Sequence, residues 1–287
     1  MRSRNTIGSR EPGDDERSPV FGEGCRVKRD EVVVLSVVDA VAVVRLNRPS
    51  VLNAIDAGTA VALLETFDAI ADRGDVRAIV LTGEGRAFCA GGDVSRFRTD
   101  DPEAAVDAII APLHDALRRL NKLPQPSIAA VHGAVAGAGF SLALACDLAI
   151  AGDTARFTLA YARIGVSPDG SSTFHLPRIV GLRKAKELAL LADTIDAAEA
   201  LRLGLVNAVV PAGDLEEEAM RLARRLAAGP TAAYGRIRAL LTDSVDRDLD
   251  GQLEAERASF KSLTGTDDFR EGVAAFLEKR PAHFRGA

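Results

Sequence analysis

Two glycine-rich stretches follow two apolar runs. The first is GEGRAFCAGGD (83–93), after VRAIVLTG (76–83); the second is HGAVAGAGFS (132–141), after SIAAVHG (127–133). Glycine carries no Cβ, so such a turn lets a backbone approach a ligand closely. A helix N-terminus adds unpaired N–H groups and the positive end of a dipole. Two such turns at neighbouring strand ends could aim two N–H donors at one oxygen, the requirement of an oxyanion hole. The same residues also suit two plain strand-to-helix turns, and spacing alone leaves both readings open.

Other chemistries lack their residues. There is no G-x-x-x-x-G-K-[ST] phosphate loop and no G-x-S-x-G nucleophile elbow. Gly137-Ala138-Gly139 before a helix has two glycines of a dinucleotide turn, but the third position is Leu142 and the preceding strand is not the first. NAD binding is therefore not indicated. His114, His132, His175 and His283 lack metal-ligand spacing. Cys89 has no histidine beside it to activate a thiolate and reads as a small buried residue.

Composition narrows the partners. The chain has 287 residues, 47% hydrophobic and 27% charged, as expected of a globular protein. A net charge of −5 offers no basic excess to hold nucleic acid. No apolar run reaches the roughly 18 residues that a membrane-spanning helix needs. Cys25, Cys89 and Cys146 are far apart and odd in number, which suits a reducing compartment and a cytoplasmic location.

The elements that must hold the two turns follow from hydrophobic periodicity. Residues 1–26 are polar and aperiodic and read as a disordered leader. VVVLSVV (32–38) and VAVVRLN (41–47), split by Asp39-Ala40, predict a hairpin. Ala60, Leu63, Leu64, Phe67 and Ile70 fall at helical spacing, and a second helix is expected over about 102–122. Runs 76–83 and 127–133 predict buried strands, and the second turn opens an apolar helix that ends near Ala145. Strand–helix alternation makes an α/β domain the default. Beyond about residue 195 only LVNAVVP (205–211) reads as a strand. Leu215, Ala219, Leu222 and Leu226 form one helical stripe, and Phe269, Val273, Phe276 and Leu277 another. The expected division is an α/β core over 27–195 and a helical region over 196–287.

In order and spacing, six segments resemble the crotonase (enoyl-CoA hydratase/isomerase) superfamily. They are NRPSVLNA (47–54), GEGRAFCAGGD (83–93), PQPSIAAVHGAVAGAGFSLALACDLAIA (124–151), RIGVSPDGSSTFHLPRIVG (163–181), ADTIDAAEALRLGLVNAVVP (192–211) and EGVAAFLEKR (271–280). The resemblance implies a crotonase-like α/β fold, a spiral of β-β-α units with a C-terminal helical trimerisation region. It implies homotrimers or dimers of trimers. It also implies an acyl-CoA thioester substrate of fatty-acid type, coenzyme A entering as part of the substrate and no separate cofactor or metal.

Carried over residue by residue, the resemblance puts the oxyanion donors at the N–H groups of Gly92 and Ala138. Ala138 stands where the family often has glycine, and still offers its N–H. Ala54, Phe276 and Lys279 match positions that meet coenzyme A, the last two often from another subunit. Ala90, Ser141, Tyr161 and His114 are expected to face the substrate. Hydratases of the family carry glutamates where this chain has Ser141 and Tyr161. Neither residue can act as a carboxylate base. Asp169, in Ser167-Pro168-Asp169-Gly170, matches an acidic position of dienoyl-CoA isomerases, ring-epoxide phenylacetyl-CoA isomerases and 4-chlorobenzoyl-CoA dehalogenases. The resemblance therefore favours double-bond isomerisation, with Asp169 as proton shuttle. A weak hydratase, a dehalogenase-like enzyme and a non-catalytic acyl-CoA binder are the alternatives. Pro-Asp-Gly also suits a turn in which Asp169 merely caps a helix. Asp93 is expected to cap the short helix after the first turn, and Asp147 to fix a strand entry.

Overall fold

The computed structural model describes residues 31–286. The expected leader and Cys25 lie outside the described residues. Strands β1 (Val33–Val38) and β2 (Val41–Leu46) form the hairpin, antiparallel in register Val38↔Val41. Asp39 and Ala40 both have positive φ, 53° and 62°. That is the handedness which matches strand twist in a two-residue turn.

Helix α1 (Ala57–Ala71) opens on Asp56, whose carboxylate accepts from Thr59 N–H at 2.9 Å. Strand β3 (Ala78–Gly83) leads through the first glycine turn to α2 (Pro102–Lys122), capped by Asp101. Strands β4 (Ser127–Val131) and β5 (Ala134–Ala136) precede α3 (Ala138–Ala145). Strands β6 (Leu148–Gly152) and β7 (Arg156–Thr158) precede α4 (Ser172–Val180) and α5 (Leu182–Leu191). Then come β8 (Ile195–Asp196), α6 (Ala197–Arg202), β9 (Ala208–Val210) and α7 (Leu215–Ala227). Helices α8 (Thr231–Asp243), α9 (Leu249–Leu263) and α10 (Asp267–Glu278) end the described chain.

The strands form two sheets, ordered β1-β2-β3-β4-β6-β9 and β5-β7-β8. From β4 to β7 the chain alternates between them, and after β8 it returns to the larger sheet at β9, which winds it into a spiral. All pairs of the larger sheet after the hairpin are parallel. Both faces of this sheet are covered, which explains its unbroken apolar runs. Val41, Val43, Val80, Ile128 and Ile150 pack against Leu215, Ala219, Met220 and Ala223 of α7. The alternate residues Ala42, Val44, Leu46, Ile79 and Leu81 face α1, α2, α3 and the smaller sheet. Phe140 and Phe157 join α3 to β7, ring centroids 5.5 Å apart.

Two expectations need correction. The divide at 195/196 cuts through β8, which pairs with β7, and β9 and α7 beyond it belong to the core. A strand of two residues is too short to show a period, so β8 left no signal, although LVNAVVP and the α7 stripe did. The second glycine turn is also not one turn, because β5 lies within it. Asp147 does fix the start of β6. Its carboxylate accepts from Ser127 N–H and Oγ, both at 2.7 Å, while Arg238 of α8 donates to its other oxygen at 2.5 Å.

Candidate active site

The larger sheet delivers both glycine turns to one place. Phe88 N–H donates to His132 O (2.8 Å), Cys89 N–H to Ala134 O (3.0 Å), and Ala136 N–H to Cys89 O (2.9 Å). The first turn is thereby stitched along β5. Its far end is held by Ile55, whose N–H donates to Gly91 O and whose carbonyl accepts from Asp93 N–H, both at 2.8 Å. The turns touch at Gly91 (φ +110°) and Gly137 (φ +48°), where a Cβ built on Gly137 would stand 3.5 Å from Gly91 Cα. Both dihedrals lie where L side chains are strained.

Immediately after each of these glycines comes an unused donor. The N–H groups of Gly92 and Ala138 have no acceptor among the described residues. Ala138 is the first residue of α3, so its N–H is one of the helix's unsatisfied donors and sits at the positive dipole end. Two free donors on abutting turns suit a single developing oxyanion. Cys89, behind them, is fully buried, which pushes its thiol up to about 12; its sulfur donates to Asn53 O at 3.1 Å. That matches the expected inert residue.

One turn along α3, Ser141 begins a hydrogen-bonded cluster. Its Oγ lies 3.1 Å from Tyr161 Oη, 3.0 Å from Asp169 O and 3.3 Å from Gly137 O. Tyr161 donates its hydroxyl proton to Asp169 Oδ1. Burial, then the Asp169 charge and the hydrogen bond to it, hold the Tyr161 phenol well above its ordinary range, so it stays a donor. The loop beyond is pinned as well, since Gly170 N–H donates to His114 Nε2 at 3.2 Å. An accepting Nε2 places the imidazole proton on Nδ1.

This geometry decides what Asp169 does locally. Its backbone carbonyl accepts from Ser172 N–H (3.3 Å) and Oγ (3.0 Å), while its carboxylate makes no cap for α4. The capping role is therefore absent. Ser141 is fully buried and Tyr161 nearly so, and their hydroxyls are engaged within the protein. His114 is turned to Gly170 and lines a cavity of about 310 Å³ with Leu117, Ser171 and His175.

Arg48 was not anticipated from the sequence. Its guanidinium donates to the carbonyl of Ala54 and pairs with Asp56 (3.1 Å) and Asp93 (3.2 Å). Asp93 thus anchors the chain just after Gly92 instead of capping the short helix, which lacks a side-chain cap. The position of Arg48 in NRPSVLNA was the available signal, but its partner Asp93, 45 residues away, was not. Ala90 is placed by its own N–H on Leu52 O at 2.9 Å.

Phe276 and Lys279 stand apart from this cluster. Phe276 on α10 is 84% exposed and Lys279 is the left-handed cap of that helix. No hydrogen bond or ion pair joins them to Gly92, Ala138 or Asp169 among the described residues. Phe276 instead shares an apolar groove with Phe260, Phe269, Leu277 and Phe284. Among the described residues no group of three His, Cys, Asp or Glu side chains is placed to hold a metal, and no helix is long and apolar enough to cross a membrane.

Known proteins are similar to this chain in sequence and fold. The sequence model of the enoyl-CoA hydratase/isomerase family matches residues 37–287. A Rhodobacter capsulatus protein named as an enoyl-CoA hydratase is 42% identical over 250 residues, covering 86% of this chain and 95% of its own. The 1,2-epoxyphenylacetyl-CoA isomerase of Escherichia coli is 38% identical, covering 89% and 99%. The crystal structure of an enoyl-CoA hydratase from Polaromonas sp. JS666 superposes with a TM-score of 0.84 at 36% identity, covering 88% and 99%. With the spiral of two sheets and both turns in place, the chain belongs to the enoyl-CoA hydratase/isomerase family, within the crotonase superfamily.

Proposed function

We propose that this acyl-CoA enzyme moves a double bond within the acyl group, with Asp169 as the proton shuttle. The observation that carries the reading is the composition of the cluster. Of Ser141, Tyr161 and Asp169, joined by hydrogen bonds, only Asp169 is a carboxylate. Water addition in this family's manner needs carboxylates where Ser141 and Tyr161 stand. The Escherichia coli relative is named as an isomerase of an epoxyphenylacetyl-CoA, which supports isomerisation as the class of reaction.

The thioester oxygen accepts from the N–H groups of Gly92 and Ala138. A C–H bond at the γ- or α-carbon breaks, and its proton forms an O–H bond on Asp169. The electron pair delocalises into the dienolate, whose negative charge the two N–H donors stabilise. Asp169 then returns the proton to the other end of the conjugated system, and the carbonyl re-forms. Coenzyme A is part of the substrate and no further cofactor takes part. Homotrimers, or dimers of trimers, would bring Phe276 and Lys279 of one copy to the coenzyme A of the next; their exposure in the single chain supports this.

The test is turnover of crotonyl-CoA, a 3-enoyl-CoA and a dienoyl-CoA, followed by ultraviolet absorbance and mass spectrometry, beside Asp169→Asn. Loss of the single general base should lower double-bond migration roughly 10²–10⁴-fold. Hydration is the second reading, favoured by the name of the Rhodobacter relative. Hydration of crotonyl-CoA at equal rates in both proteins would establish it and overturn the isomerase. Binding without turnover of any of the three would overturn both.

A further inference from the structure

Proton counting in the buried cluster assigns work to two side chains whose hydroxyls are engaged within the protein. Tyr161 has one hydroxyl proton and donates it to Asp169 Oδ1. Ser141 has one proton and three oxygens within 3.3 Å: Tyr161 Oη, Asp169 O and Gly137 O. Gly137 O belongs to the peptide unit whose N–H is that of Ala138. Ser141 therefore lies between the peptide of the second oxyanion donor and the residue that moves the proton. The fit is close, because a Cβ built on Gly170 would come within 2.8 Å of Ser141 Cβ. His114 also holds this loop, through Gly170 N–H. Asp169 Oδ2, by contrast, has no hydrogen-bond partner among the described residues.

We propose that Tyr161 is a positioning residue that fixes Oδ1 of Asp169 so that Oδ2 alone handles the migrating proton, and that Ser141 ties this carboxylate to the peptide carrying the Ala138 N–H. The inference rests on the reading of Asp169 as proton shuttle. A carboxylate held by one oxygen cannot swing between two orientations, so its free oxygen keeps a fixed distance from the carbons it serves. Misplacement of about 1 Å costs on the order of 10²-fold in rate. No proton leaves Tyr161 in this scheme; it remains the donor throughout.

The experiment is a double-mutant cycle in the full chain, with Tyr161→Phe, Asp169→Asn and the pair together. Tyr161→Phe is expected to lower kcat roughly 10–10²-fold while KM stays within about twofold. In the Asp169→Asn background the same substitution should cost nothing further. An equal loss in both backgrounds, or a rise in KM alone, would overturn the inference and leave the isomerase reading intact; absence of double-bond migration in the wild type would overturn that reading instead. Ser141→Ala provides a second variant should Tyr161→Phe fold poorly, and its loss must also vanish without the carboxylate. A readout without turnover is ¹³Cζ-tyrosine NMR, simple in a chain with two tyrosines. The Tyr161 resonance should shift between wild type and Asp169→Asn, and an unmoved resonance would overturn the hydrogen bond itself.

Discussion

Gly91 and Gly137 stand back to back, so close that a Cβ on Gly137 would lie 3.5 Å from Gly91 Cα, and each is followed by an N–H that nothing in the described chain accepts. The contact brings together turns separated by a helix and a strand in sequence. It works only because both residues adopt dihedrals that side chains resist.

Substitution at this contact should therefore damage activity more than folding. Gly137→Ala forces a Cβ onto a residue at φ +48° and ψ −122°, a strain of about 1–3 kcal/mol. Relief of that strain turns the next peptide and misdirects the Ala138 N–H. Loss of one oxyanion donor costs roughly 10²–10³-fold in kcat. Ala138→Gly keeps the N–H and should retain most of the activity. Steady-state kinetics with thermal melts of the two variants check this.

Acid should loosen the entry to the first turn. Hydrogen bonding from Ser95 and the adjacent Arg48 hold the Asp93 carboxyl below its ordinary 3.8. For Asp56, burial pulls upward but the Thr59 hydrogen bonds and Arg48 outweigh it, and it too is lowered. A carboxylate with a depressed folded pKa contributes stability above its unfolded value and loses it as pH falls through the folded one. Melting temperature should drop below about pH 3.8, more steeply in the wild type than in Arg48→Met, where the pairs are already broken.

Cys89 and Cys146 should ignore thiol reagents while the protein is folded. Burial pushes Cys89 and Cys146 each up to about 12, so neither forms appreciable thiolate at neutral pH. Labelling with a maleimide at pH 8, followed by peptide mapping, should leave both unmodified until denaturant is added. Rapid native labelling of Cys89 would contradict the packing against Asn53.

Arg238 should hold α8 to the core. Its guanidinium pairs with Asp147 at 2.5 Å and donates to the carbonyls of Leu123 and Gln125. The side chain is only 12% exposed. Removing it leaves a half-buried carboxylate and two carbonyls to find other donors, a cost of about 2–3 kcal/mol. Urea unfolding of Arg238→Ala measures it, and Asp147→Asn should lose less because its amide still bonds Ser127.

Much of the fold was legible along the chain because its elements are local. The Asp39-Ala40 turn, the α1 stripe from Ala60 to Ile70 and the Pro102 start of α2 depend on periodicity and capping within a few residues. Gly92, Ala138 and Asp169 were also named from sequence, as motif positions. Their use of hydrogen bonds was not. The link from Tyr161 to Asp169, the capture of Asp93 by Arg48, and the burial of α7 against the larger sheet all join segments brought together only by the spiral. A sequence lists donors and acceptors, but each hydroxyl or guanidinium has few protons and several candidate partners. Which oxygen receives each proton is set by distance, and distance exists only after the sheets have stacked.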